Sequence, residues 1–138
     1  MTKVFLDTNI LLDVIAQREP FFGPAARIWT LAEQNSIDAY VSAISFNNVY
    51  YIVRKIEGHA KAIKALRMVR DIFTSVAPDQ QILDQAMDSG IKDFEDAIQY
   101  FSANHARVNC LITRNPGDFP TSLLPILTAR EFVATLKG

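Results

Sequence analysis

Val4-Phe5-Leu6-Asp7-Thr8-Asn9-Ile10-Leu11-Leu12-Asp13 is the stretch on which the fold turns. Three apolar residues run without alternation and stop at an acid. Such a run predicts a short strand covered on both faces, as in a parallel sheet. Ile10, Leu11, Val14 and Ile15 then follow helical spacing. A covered strand followed directly by a helix is the opening unit of an α/β fold, and the rest of the chain repeats the alternation. Pro24 opens a helix holding Ala25, Ile28, Trp29 and Leu31. Ala39-Tyr40-Val41 is a second strand ending at Ser42, and Ile44, Val49, Ile52, Val53 and Ile56 mark a long helix stopped near Gly58. Residues 59–72 are helical again, and Phe73 to Ala77 is a third strand. Residues 79–88 form a short helix and residues 94–106 a better one, with Phe94, Ala97, Ile98, Phe101 and His105 on one stripe. Val108 to Thr113 is a fourth strand and Leu124 to Leu127 a fifth, after which Thr128 caps a final helix to about Leu136. The expected fold is α/β with a mainly parallel sheet of four to five strands.

Size and composition agree with that expectation. The 138 residues suit one domain, and 49% hydrophobic against 21% charged residues can fill a core. No apolar run reaches the ~18 residues of a membrane span. The N-terminus lacks the apolar stretch of a signal peptide. Cys110 is the one cysteine, which excludes an internal disulfide and a multi-cysteine zinc site. These features point to a cytoplasmic protein with no membrane partner.

In an open parallel sheet, ligands bind beyond the carboxyl ends of the strands. Asp7-Thr8-Asn9 follows the first strand, and Ser42 and then Asn47 and Asn48 follow the second. Thr113-Arg114-Asn115, with Asp118 just beyond, follows the fourth. The helix before the fourth strand opens with Asp93, Glu95 and Asp96. Carboxylate and amide oxygens gathered at one sheet edge are the ligands Mg²⁺ and Mn²⁺ prefer, and such ions serve phosphodiester cleavage. No glycine-rich phosphate loop follows any strand, and His59 and His105 lie within helical patterns, away from any serine triad.

Each acid also has a structural reading. Asp7 and Asp93 are suited to cap helices. Glu95 and Asp96 suit a first helical turn. Asp118 can close the Asn-Pro-Gly turn. Asp96 lies off the Phe94/Ile98/Phe101 stripe, on the side of Tyr100 and Ala103. Asn48 falls at spacing four from Ile44 and Ile52, where an amide needs a partner. Asp13, Asp84 and Asp88 read as solvated helix positions, Cys110 as a buried strand thiol, and Trp29 and the Val49-Tyr50-Tyr51-Ile52 aromatics as core or dimer contacts.

Residues 4–13, the segment Phe94-Glu95-Asp96-Ala97-Ile98-Gln99-Tyr100, and Leu111-Ile112-Thr113-Arg114-Asn115-Pro116-Gly117-Asp118-Phe119 resemble, in order and spacing, the motifs of the PIN domain. Val41-Ser42-Ala43-Ile44-Ser45 matches as well, so the resemblance runs from residue 3 to about 136. It implies a Rossmann-like three-layer α/β/α sandwich and a metal-dependent ribonuclease, here expected to be an endoribonuclease using Mg²⁺ or Mn²⁺. Many small stand-alone members are VapC-type toxins that form homodimers and are neutralised by an antitoxin. The family's acidic site maps onto Asp7, Asp96 and the Asn115–Asp118 segment, where only Asp118 is charged. Thr113 and Asn9 become supporting hydrogen-bonders. The family's usual glutamate on the helix after the second strand is replaced here by Asn48. Glu95 or Asp93 is placed to compensate that missing charge. The replacement leaves open a catalytically weakened module that binds RNA or a protein. A phosphatase reading is weaker, because no second aspartate stands two residues after Asp7.

The net charge of −1 hides a segregation. Residues 54–70 carry six basic side chains against Glu57, and residues 71–100 carry seven acids against Lys92. This predicts a basic path for RNA through Lys61, Lys64 and Arg67, with Arg114, like Thr8, at the phosphate backbone. The bland alternative is two solvated helical faces.

Overall fold

The computed structural model describes residues 1–136. Its strands are β1 (Lys3–Leu6), β2 (Asp38–Ser42), β3 (Thr74–Val76), β4 (Cys110–Ile112) and β5 (Ile126–Leu127). Its helices are α1 (Thr8–Ile15), α2 (Phe22–Glu33), α3 (Ala43–Glu57), α4 (His59–Ile72), α5 (Gln80–Asp88), α6 (Phe94–His105) and α7 (Ala129–Thr135). The strands form one sheet in the order β3-β2-β1-β4-β5, and every pairing is parallel. Parallel neighbours need crossovers, which the helices supply.

The strands divide their side chains between two layers because successive residues point to opposite faces. Val4, Leu6, Cys110 and Ile112 join α1, α2, α3, α4 and α7 in one core. Phe5 and Leu111 face the other way, against Tyr100 and Ala103 of α6. Ile82 and Ala86 of α5 cover a further side of α6 through Ala97 and Ile98. All three layers of the expected sandwich are present. Trp29 and Phe73 meet edge to face at 5.0 Å within the first core. Cys110 is buried there, and burial pushes its thiol up to about 11. No described helix is long and apolar enough to cross a membrane.

Element boundaries are set by local chemistry. Ser42, Asp79, Asp93 and Thr128 cap α3, α5, α6 and α7 with side-chain acceptors. Thr128 and Glu131 complete a reciprocal capping box. A single residue, Gly58, turns the chain from α3 into α4 at φ 92° and ψ 174°, a region that side chains with a Cβ avoid. Pro24 lies at the third position of α2 rather than the first, where its missing N–H is still among the unpaired donors of the first turn. The expected fifth strand shortens to two residues, and Leu124 instead plugs the core beside Tyr100.

The expected stripe of α6 is the main correction. Phe94 is 49% exposed and His105 is also exposed, whereas Ala97, Ile98, Gln99, Tyr100, Ser102 and Ala103 are buried. The helix packs on the sheet with one face and on α5 with another. Its buried arc is therefore wider than a single apolar stripe, and it includes the side of Tyr100 and Ala103 on which Asp96 lies.

Candidate acidic site

The sheet order reverses at β1, with β2 and β3 on one side and β4 and β5 on the other. Its switch point lies between the carboxyl ends of β1 and β4, where open α/β sheets form their binding crevice. Asp7 and Thr113 are the first residues beyond those two ends. The Asp7 N–H donates to the Ile112 carbonyl at 3.0 Å, so the backbones lock together there. The Thr113 hydroxyl donates to Asp7 Oδ2 at 2.7 Å, and the Asn9 amide approaches the same oxygen at 3.3 Å. Asp7 occupies the N-cap position of α1, yet its side chain makes no capping bond. The carboxylate is thereby left to face the crevice.

A cleft of about 520 Å³ opens beyond this pair, and Asp7, Asp93, Glu95, Asp96 and Asp118 line it together with Asn9, Asn48 and Asn115. Four pieces of chain supply these groups: the start of α1, the middle of α3, the first turn of α6 and the 3-10 turn Pro116–Asp118. Asp93 does cap α6, accepting from the Asp96 N–H at 2.9 Å, and it faces the cleft as well. Glu95 Oε2 lies 3.3 Å from the Thr8 hydroxyl and 3.2 Å from the Gln99 amide. Gln99 also donates to Thr8, which lies 2.7 Å from the Ser45 hydroxyl.

The acids act on one another electrostatically. Burial raises the Asp7 carboxyl above its ordinary value, and the Thr113 bond only partly opposes this. Burial also raises Glu95, followed by the charge of Asp7, while bonds from Thr8 and Asn48 pull it back. Asp96 is pushed up to about 7, first by burial and then by Asp7, Asp93, Asp118 and Glu95. Carboxylates held together in this way destabilise one another in their charged forms.

The donor set consists of hard oxygens only, which suits Mg²⁺ or Mn²⁺ rather than zinc. Among the described residues, no three carboxylate, imidazole or thiol groups already converge to enclose an ion. The acids instead line an open crevice. Asn48 stands at its wall, beside Glu95, rather than in the core. Glu95 of α6 is the carboxylate that the Asn48 amide hydrogen-bonds.

Other expected contacts lie elsewhere. The Arg114 guanidinium pairs with Asp13 and sits 4.1 Å from the centre of the Phe21 ring, so it is turned away from the acidic cleft. Only its backbone N–H serves the site, approaching Asn9 Oδ1 at 3.3 Å. Thr8 does line the cleft, but it is largely buried and its hydroxyl is engaged by Ser45, Glu95 and Gln99. Lys61, Lys64 and Arg67 are exposed on α4 and none lines the cleft. Asp13, read as solvated, is 1% exposed and paired, while Asp84 and Asp88 are exposed as expected. Gln99 and Ser45 were not singled out from sequence. The signal for Gln99 was its spacing of four from Glu95, which places both on one helical face.

The sequence profile of the PIN domain matches residues 3–116 of the chain. The chain is 27% identical to Ribonuclease VapC1 of Aquifex aeolicus over 136 residues, 94% of this chain and 92% of that protein. The fold is similar to that of DNA-bound VapBC from Salmonella typhimurium, with a TM-score of 0.72 at 15% identity over 94% of this chain and 99% of that one. It is also similar to VapC20 of Mycobacterium tuberculosis, described as a sarcin-ricin loop cleaving toxin. There the TM-score is 0.63 at 15% identity, covering 78% of this chain and 86% of the other.

Proposed function

The chain belongs to the PIN domain family, and from that premise we propose that it is a divalent-metal-dependent endoribonuclease, the toxin of a toxin-antitoxin pair. The observation that carries this reading is that Asp7, Asp96 and Asp118, from three separate pieces of chain, line one open crevice. The ribonuclease name of the relative and the toxin descriptions of the structural neighbours support it. An antitoxin is the proposed protein partner, a homodimer the proposed assembly and the cytoplasm the proposed compartment.

Asp7, Asp96 and Asp118 would hold Mg²⁺ or Mn²⁺, with Glu95 supplying further negative charge. A bound ion would supply Lewis acidity for the attack of water on a phosphodiester. The protein's own part is orientation. Thr113 and Asn9 fix the Asp7 carboxylate, and Thr8 and Gln99 fix that of Glu95. Asn48 and Asn115 present amides at the same wall, suited to position water or a phosphate oxygen. Preset donors and acceptors of this kind spare reorganisation when the substrate arrives.

RNA cleavage with Mn²⁺, measured for the wild type and for Asp7→Asn, tests the reading. The variant is expected to lose at least about a hundredfold in rate, the scale at which a preorganised electrostatic group contributes. Equal activity in the two proteins sinks the proposal. One observation favours a second reading, a non-catalytic binding module: the amide of Asn48 where the family usually has a carboxylate. That reading prevails if RNA binds while calorimetry finds no divalent ion bound at millimolar concentration.

A further inference from the structure

A crevice lined by five carboxylates repels a polyanion, so the affinity for one must come from neighbouring surface. The acidic cleft continues at both ends. On one side it shares Tyr51 and Ile52 with a cleft of about 670 Å³ that also includes Arg54, Lys55 and His59. On the other it shares Asp93, Asp96 and Asp118 with a cleft of about 700 Å³ that reaches Lys92. A chain can therefore pass through the acidic site without ending in it.

The first of these sides has the chemistry of a nucleic-acid track. Asn48, Tyr51, Ile52 and Lys55 recur at spacings of three and four, so they share one face of α3, and about 10 Å of helix separates the first from the last. Tyr51 is 59% exposed at the lip between the two clefts. Its ring stands edge to face with Tyr50 at 5.8 Å, and the Tyr50 hydroxyl is 2.8 Å from His59 Nδ1. The exposed ring is thus braced from behind. Arg54 and Lys55 make no ion pair among the described residues, and neither do Lys64 and Arg67, so position beside the cleft and not pairing sets Arg54 and Lys55 apart.

We propose that a single-stranded polynucleotide crosses the acidic cleft along this face of α3, stacking one base on Tyr51 and setting the adjoining phosphate against Arg54 and Lys55. The proposal rests on the ribonuclease reading and adds the path of the strand. A flat ring beside two unpaired cations is the pairing that single-strand binders use, and a duplex offers no free base face to it. Lys61, Lys64 and Arg67 lie off this path.

Anisotropy of a short labelled single-stranded RNA, at low salt and without metal, measures binding apart from cleavage. Tyr51→Ala is expected to weaken binding about tenfold, and Tyr51→Phe to retain it. Arg54→Gln/Lys55→Gln is expected to weaken binding and to flatten the slope of log K against log salt by about 1.4, roughly 0.7 for each charge. Lys61→Gln/Lys64→Gln/Arg67→Gln is expected to change neither. All these side chains are exposed, so unchanged melting temperatures show that the variants fold. Wild-type affinity in both Tyr51→Ala and the Arg54/Lys55 variant overturns the path. So does equal affinity for duplex RNA, or a loss of binding to a protein partner with RNA binding intact. If those variants also cut RNA as the wild type does, the ribonuclease reading stands and only the path falls. If the wild type binds through Tyr51 but does not cut, the path stands and the ribonuclease reading falls.

Discussion

Asp13 and Arg114 are 101 residues apart in the chain and form an ion pair behind the acidic site. Asp13 is 1% exposed and the Arg114 side chain 26% exposed, so the two partners are unequally placed. Removing the arginine strands a charge in the interior, which costs about 3–5 kcal/mol. Removing the aspartate leaves a guanidinium that still reaches water and stacks on Phe21. Arg114→Gln is therefore expected to lower unfolding free energy by about 3 kcal/mol or more, and Asp13→Asn by less. In urea denaturation the double variant is expected to lose less than the sum of the singles, by about 1 kcal/mol or more. An additive result removes the pair as a unit. The pair also fixes the loop after β4, whose Thr113 orients Asp7. Sequence spacing placed Asp13 on the outside of α1, but this eight-residue helix packs against α2 and α3 and is met by Arg114, so it has little outside left.

At the scale of elements, strand ends and helix starts bring the acids together. Asp7 follows β1 directly, Asp96 sits in the first turn of α6, and Asp118 ends the 3-10 turn after β4. Each carboxyl of Asp7, Glu95 and Asp96 binds its proton more tightly in the fold than in the open chain. The folded state then carries more protons than the unfolded one between their ordinary values and about 7 for Asp96. Stability from these groups is full below the ordinary carboxylate range and is lost as pH rises through that window. In the presence of EDTA, the melting temperature is expected to rise as pH falls from about 8 to about 5. Asp96→Asn is expected to flatten the rise. A melting temperature that falls over that range in the wild type contradicts the raised carboxyls, whose first cause is burial and whose second is the neighbouring acids. The motifs around these acids were legible in sequence, because each is a short local pattern at an element boundary. The face of α6 was not legible, since its buried arc depends on α5 as well as on the sheet.

For the molecule as a whole, the charge segregation is real along the chain but unevenly used in space. The acids of α6 join the cleft, while Asp84 and Asp88 of α5 are exposed. The basic run splits as well. Arg54 and Lys55 border the cleft next to the acidic one, and the α4 cations point to solvent. On the proposed metal-dependent reading, a bound cation would offset the repulsion among the acids and stabilise the whole fold. Millimolar Mn²⁺ at pH near 7.5 is expected to raise the melting temperature, by about 9 °C where the ion stands at a hundred times its Kd and adds about 2.7 kcal/mol. Asp7→Asn is expected to reduce the rise, and a wild type that shows none argues against a metal site.

The alternation of unbroken apolar runs with helical periods determined the parallel α/β sheet, because strand burial on both faces is written locally in each run. The motifs at residues 4–13, 94–100 and 111–119 likewise determined which acids belong together. The tertiary structure decided everything that depends on which surfaces meet. It buried Asp13 against Arg114, turned Arg114 away from the acids and placed Glu95 beside Asn48. It also chose Arg54 and Lys55 over the α4 cations as the basic neighbours of the site. Periodicity records one helix at a time, whereas burial and charge partners are set by neighbours distant in the chain, so a pattern along the sequence cannot fix them.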